Sequence, residues 1–568
     1  MKKTLMLLVL FTNIFSVFAD SGLQTTAEKS SWVKTGNAQE TEKLCLEFQR
    51  QFPKDVKCLT YGVTPEKRKM FYMVIGDTHL PIVWVQAGIH AGEIDGKDAV
   101  FWLLRDILEK KISPSPLKGL CLVFIPIVNL DGHERIGKWN RPNQIGPEEM
   151  GWRTTSQNFN LNRDFMKADA PEMRDLLKIW HKMNPAISLD LHVTDGAQFQ
   201  PEVGLIVLPN DNHGTSSLHQ SGKAFELDLL EKMKQKNRLA LPFYPSFEKH
   251  DDPLSGVARY VATARFSHGY WFNNNRLGML VETHSWKNYA NRVQTHRDTV
   301  LSTLEIAQVH AKDWSLAGQS LDKQMLAGKT VDLEYKHTEK SHLIDFPGYK
   351  FTQGQSLVSG EKVIKYEPSI KEVWSVPFYE ELSPSLSVEA PELGYFIQAQ
   401  DMEWLLPKLK AHAIEFKPWT QATPIGIKVF RATKTEFSPK PFEGHQTLKV
   451  EGQWQNEEMK LSHGSIFIPI NQAKGRVILQ LFEPMAQDSF LAWGFFNRAF
   501  EQKEYMENYV AEDVATEMLK NPEIRKEFES KLQADADFAK DPEKRFEFFY
   551  RKHPSWDERF NKYPIFKK

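Results

Sequence analysis

Short apolar runs alternating with amphipathic stretches dominate the first 320 residues. Residues 81–87 (PIVWVQA), 120–127, 186–191 and 278–281 are nearly continuous apolar runs, as expected for strands buried on both faces. Residues 94–110, 170–181, 217–236 and 292–314 carry helical patterning. Strands alternating with helices predict an α/β sandwich around a largely parallel or mixed sheet. From about Leu321 the texture changes. Residues 330–335, 372–378, 425–432 and 446–454 alternate as antiparallel strands do, interrupted by one helix over 402–412. After Glu483-Pro484 the pattern predicts helices over 488–509, 510–519 and 542–551. The division expected is a leader over 1–19, an α/β unit over 20–320, a β-rich region over 321–482 and a helical region over 483–568.

Lys2 and Lys3 precede an apolar run from Leu5 to Phe18, and Val17 and Ala19 put small residues at the −3 and −1 positions. This is the pattern of a secretory signal cut after Ala19, which predicts a periplasmic or extracellular protein. The run is short of the roughly 20 apolar residues that span a bilayer, and no later segment reaches that length, so no stable membrane anchor is expected. A chain of 568 residues is too long for one ordinary core. Its net charge of −1, or −3 without Lys2 and Lys3, gives no electrostatic reason to expect nucleic acid. Three cysteines exclude a fully paired framework. Cys121 opens a buried strand; Cys45 and Cys58 fit either a disulfide or two free thiols.

The chemistry-bearing residues gather at strand ends. His90-Ala-Gly-Glu93 follows the run ending at Ala87, across a turn and into the expected start of a helix near Gly92 or Glu93. A histidine and a glutamate so placed can converge on one ion, and catalytic zinc sites use three protein ligands with one position left open. The same spacing recurs at His412-Ala-Ile-Glu415, where no buried strand precedes it and a surface helix pair is expected. His192 closes the run 187–191, and Glu282 closes 278–281. In open α/β sheets, sites form beyond the carboxyl ends of strands, so His90, His192 and Glu282 can meet across one crevice. A buried Glu282 without a partner would be costly; it should face a metal, a water or a cation. Asn129-Leu-Asp-Gly132, Arg141 and Asn160-Leu-Asn-Arg-Asp164 lie between these residues.

In its order of His-x-x-Glu, Asn-x-Asp-Gly, an isolated Arg, Leu-Asn-Arg, a strand-end His and a strand-end Glu, the chain resembles the carboxypeptidase A/B family of zinc metallopeptidases over about residues 70–310. The resemblance implies a carboxypeptidase-like α/β sandwich with a mixed sheet, one zinc on His90, Glu93 and His192, and Glu282 as the base that takes a proton from the water zinc activates. It further implies Arg141 as the cation beside the oxyanion, and Asn162 and Arg163 as the grip on a peptide's free C-terminal carboxylate. Arginine suits that role because its planar fork matches a carboxylate. Two departures stand out. Asn160 occupies a position where the family often has an Asp that orients a zinc-bound His, and Leu130 replaces a usual Pro. The substrate-capping tyrosine is Tyr260 or Tyr270, with spacing slightly favouring Tyr260. Competing readings are a zinc deacylase of the aspartoacylase or succinylglutamate desuccinylase kind, a peptidoglycan-peptide hydrolase and a catalytically dead binding protein. The aromatic stretch Phe490–Phe496 is expected to pack a helix into the core.

Overall fold

The computed structural model describes residues 22–209, 215–421 and 423–568; the leader expected over 1–19 lies outside them. Nine short strands occupy the first half: β1 (Val56–Val63), β2 (Lys69–Ile75), β3 (Ile82–Ala87), β4 (Cys121–Ile125), β5 (Ile187–Thr194), β6 (Val203–Leu208), β7 (Ala240–Leu241), β8 (Val257–Ala258) and β9 (Leu277–His284). All but β8 form one mixed sheet, ordered β1-β2-β4-β3-β5-β9-β6-β7. Its centre, β4-β3-β5-β9, is parallel, and antiparallel pairs lie to either side. β3, β4, β5 and β9 are buried at every position, which is why they read as unbroken apolar runs.

Helices cover both faces. Ala38–Gln51, Asp95–Leu108, Ser217–Gln235 and Tyr289–Asp322 bury Phe48, Phe101, Leu229 and Leu304 against Val83, Leu189 and Val281. The other face carries Pro171–Met183 and Ser267–Asn273, but these do not cover it alone. Its core, built on Trp84, Val123, Trp180 and Trp271, continues without a break into Leu405, Leu409, Ile478, Phe482 and Phe490. The second half of the chain is therefore packed onto the sheet by apolar burial.

That second half holds a six-stranded sheet whose members include Gly394–Ile397, Ile425–Phe437 and Leu448–Met459. Lys562–Lys567, from the region expected to be helical, lies in this sheet between Gly394–Ile397 and Ile425–Phe437. A long hairpin, His342–Gln355 with Lys362–Tyr379, reaches back and pairs with β8. Helices follow at Asn508–Met518, Pro522–Ala534, Ala536–Lys540 and Pro542–Tyr550. The helix expected over 488–509 does not form: turns and one short 3-10 turn run to Ala499, and Gly494 sits at φ 84°. Phe490 and Phe496 are nonetheless fully buried, so burial of this stretch is achieved by an irregular chain. Cys45 and Cys58 are joined in a disulfide, and Cys121 is free and buried. Among the described residues, no helix is long and apolar enough to cross a membrane.

Candidate metal centre and substrate cleft

β3 ends at Ala87, and Gly88 turns the chain at φ 65°, a conformation glycine adopts without strain. The turn carries His90 and Glu93 to the mouth of the sheet. Glu93 precedes the helix, which begins at Asp95, later than the sequence suggested. Gly92 lies where a Cβ would stand 2.6 Å from Cγ of Arg141 and 2.8 Å from the Gly151 carbonyl, so the arginine can lie against the turn only because this side chain is absent. His192 and Glu282 are not past their strands but inside them: they are direct neighbours in the β5–β9 register, two residues before each strand stops.

These strands and the turn bring three of the expected residues onto one point. Nδ1 of His90 lies 2.9 Å from Oε1 of Glu93, and Nδ1 of His192 lies 2.9 Å from Oε2. One possible ligand atom from each of the three residues lies within 4.8 Å of the other two. All three are buried. Two imidazole nitrogens and a carboxylate, converging at the floor of a cleft, suit zinc by donor type and number. The electrostatics agree for two of the three. At the third, burial opposes the charge on His192, but Asp190 and Glu93 outweigh it and hold that imidazole well above its usual range, so a metal has to displace its proton. Burial pushes His90 down to about 4, leaving it neutral as a ligand must be. Burial opposes ionisation of Glu93, yet Arg141 and His90 overcome it and hold the carboxyl well below its usual range.

The outer nitrogens of the two imidazoles differ in their support. Nε2 of His90 lies 3.2 Å from the amide oxygen of Asn160. Nε2 of His192 lies 3.0 Å from Oδ2 of Asp190, a wholly buried carboxylate; the pair is an ion pair by distance and is not aligned as a hydrogen bond. Asp190 precedes His192 by two and so shares its face of β5; the i, i+2 alternation in Ile187–Thr194 is a signal that would have found it.

Glu282 lines the same cleft, about 500 Å³ in volume. Its Oε2 is buried without a hydrogen-bond partner among the described residues. Burial pushes its carboxyl up to about 8; the nearby Glu93 carboxylate adds to the rise, against the pull of His192. Arg141 reaches Oε1 of Glu93 at 2.9 Å and also lines the cleft. Arg153, which the sequence did not single out, stands 3.6 Å from the same oxygen. Asn162 and Arg163 form the adjoining wall. The Arg163 guanidinium lies over the Phe266 ring at 4.5 Å and forms no ion pair among the described residues. Of the two tyrosines, Tyr260 lines the cleft, whereas Tyr270 is fully buried between His181 and His412. His268 is a further buried wall residue that the sequence left unmarked.

The second His-x-x-Glu is neither a metal site nor the surface pair expected. His412 is fully buried, its Nε2 donating to the Met166 carbonyl at 2.9 Å, while Glu415 is exposed.

Residues 41–203 match the family model described as zinc carboxypeptidase. Similar proteins include Carboxypeptidase 2 of Trichophyton equinum, 20% identical over 492 residues, covering 79% of this chain and 82% of that protein. Carboxypeptidase 2 of Trichophyton tonsurans is 24% identical over 480 residues, with the same shares covered. Carboxypeptidase A4 of Mus musculus is 33% identical over 97 residues, 16% of this chain and 23% of that protein. Among solved structures, carboxypeptidase A from Helicoverpa armigera aligns with a TM-score of 0.36 at 16% identity, over 50% of this chain and 74% of that one. A metallo-carboxypeptidase from Burkholderia cenocepacia aligns at 0.35 and 16%, over 47% and 69%.

Proposed function

We propose, for a chain of the zinc carboxypeptidase family, that it is an exported exopeptidase that removes the last residue of peptides with a free C-terminal carboxylate, in a catalytic unit over residues 20–320. The observation that carries this reading is the Arg163 guanidinium, without an ion-pair partner among the described residues, on the wall of the cleft whose floor is His90, Glu93 and His192. An anionic group on the substrate is the natural partner for it.

One zinc per chain is held by His90, Glu93 and His192 in this reading. When bound, it supplies Lewis acidity, lowering the pKa of water to roughly 7 and polarising the scissile carbonyl. Glu282 accepts the proton of the attacking water and passes it to the leaving amine. Arg141 faces the carbonyl oxygen as negative charge develops there. Asn162 and Arg163 grip the terminal carboxylate, the Phe266 face holding the guanidinium flat. Tyr260, at the cleft rim, covers the bound terminus. Export into an oxidising compartment agrees with the Cys45–Cys58 disulfide.

The test is a pair of peptides identical except for a free or amidated C-terminus, with products read by mass spectrometry. The free acid is expected to lose its last residue, and the amide to be cut at least about 100-fold more slowly, because its pocket leaves a guanidinium unpaired. Equal cleavage of both, or internal fragments, would refute the exopeptidase reading.

A further inference from the structure

The segment that carries Asn162 and Arg163 is irregular. Between Asn160 and Ala170 its only regular structure is a single 3-10 turn over Leu161–Arg163. Its own polar groups close part of it: Asp164 accepts from Lys167 Nζ at 2.7 Å and from the Asp169 and Ala170 amides. The remainder is gripped by side chains more than 230 residues away in sequence. Lys408 Nζ donates to the Lys167 carbonyl at 2.5 Å and to Asp169 Oδ1 at 2.6 Å. His445 Nε2 lies 2.7 Å from Asp169 Oδ2. His412 Nε2 donates to the Met166 carbonyl at 2.9 Å. Glu443 Oε2 accepts from the Asn160 amide at 3.3 Å.

The ring that supports the Arg163 guanidinium is held from the same side. Phe266 follows Arg265, whose backbone amide and Nε donate to Asp488 at 2.9 and 2.5 Å and whose guanidinium lies 4.7 Å from the centre of the Trp493 ring. Both supports of the guanidinium, its own backbone and the ring beneath it, are thus tied to residues 408–493. Lys408, His412 and Asp488 are buried, so water does not substitute for these bonds cheaply.

We propose that residues 408–493 are a brace that sets the position of the carboxylate-binding arginine, with Lys408 and Glu443 as positioning residues. The inference rests on the reading of Arg163 given above. It assigns residues 408–493, none of which lines the cleft, a part in substrate binding without contact with substrate. Misplacement of a binding group by about 1 Å can cost on the order of 10²-fold. Disturbing the brace at Lys408 should therefore appear in KM for free-acid substrates and leave the metal centre alone; Glu443 bonds the backbone of Asn160, whose side chain backs His90, so zinc content is measured beside KM.

The experiment uses the full-length protein and the free and amidated peptides. Lys408→Met removes two donors while keeping an unbranched side chain. Glu443→Ala removes the acceptor for the Asn160 amide, and Glu443→Gln keeps one. Lys408→Met and Glu443→Ala are expected to raise KM for the free acid by roughly 10–100-fold, with kcat and zinc content within about twofold of wild type, and to narrow the discrimination against the amide. Glu443→Gln is expected to restore most of the wild-type KM. A loss confined to kcat or zinc, an unchanged KM in the folded variants, or no difference between Glu443→Ala and Glu443→Gln would overturn the brace. Should Lys408→Met fail to fold, the Glu443 pair, at a half-buried position, decides alone. A wild-type enzyme that does not distinguish the two peptides would instead overturn the role of Arg163.

Discussion

Replacing Asp190 by Asn should weaken zinc binding without altering the residues that converge on the ion. Asp190 and His192 are both essentially inaccessible, and Oδ2 stands 3.0 Å from Nε2. The substitution keeps the shape and removes the charge behind the imidazole. Carboxylates in this position fix the ring and raise the basicity of its inner nitrogen, and losing such support typically costs about 10–100-fold in metal affinity, or about 1.4–2.7 kcal/mol. The other imidazole provides an internal control. His90 is backed by the neutral Asn160 at 3.2 Å, so Asn160→Asp supplies a charge where none stands. The double variant Asn160→Asp/Asp190→Asn moves the carboxylate from one histidine to the other and should recover much of the lost affinity. Competition with a chromophoric chelator measures the dissociation constant, and a thermal melt checks folding. An Asp190→Asn affinity within twofold of wild type would refute the argument, as would a double variant weaker than either single one.

Glu282→Gln should keep zinc and fold while losing about 10²–10⁴-fold in kcat, since the amide cannot accept the proton; stopped-assay turnover on a zinc-loaded sample checks it, and near-wild-type kcat would make Glu282 structural only. His90→Ala should lose zinc by elemental analysis, full occupancy being the contrary result. Glu172 gives a pH effect remote from the cleft: both its oxygens are buried without a hydrogen-bond partner among the described residues, and burial pushes its carboxyl up from 4.5 to about 7. The folded state then holds a proton that the unfolded state has released, so stability falls as pH rises from 4.5 towards 7. Glu172→Gln removes that loss, and its thermal midpoint should exceed wild type at pH 8 by an amount that shrinks towards pH 4.5; equal midpoints at both pH values would contradict the assignment.

That His90, Glu93, His192 and Glu282 share one cleft was legible because each lies at, or within a turn after, the close of a buried apolar run, and such runs are the least ambiguous strands in a sequence. Their distance from the strand ends was not, since a polar residue that closes an apolar run can still pair in register, as His192 and Glu282 do. Asp190 was hidden by the same habit: an acid inside a buried run reads as an interruption until the i, i+2 geometry is considered. Arg153 and His268 carry no local pattern and reach the cleft only through tertiary packing. The stretch Asp488–Phe500 misled because its aromatic density suggests a helix face, whereas its rings enter the core from turns. Nor could the pairing of Lys408 with Asp169 be read, because nothing local marks a lysine as the partner of an acid more than 230 positions earlier.

The core that runs from Trp84 and Trp180 to Leu409 and Phe482 joins the two halves through apolar side chains. Neither half can melt without exposing the other's buried face, so heating should give one calorimetric transition, with a van't Hoff enthalpy close to the calorimetric value. The two halves are then a single cooperative unit. A change deep in the second half that lowers the stability of the whole lowers the abundance of active enzyme as surely as a change in the cleft. Selection on catalysis therefore reaches residues that never approach the substrate.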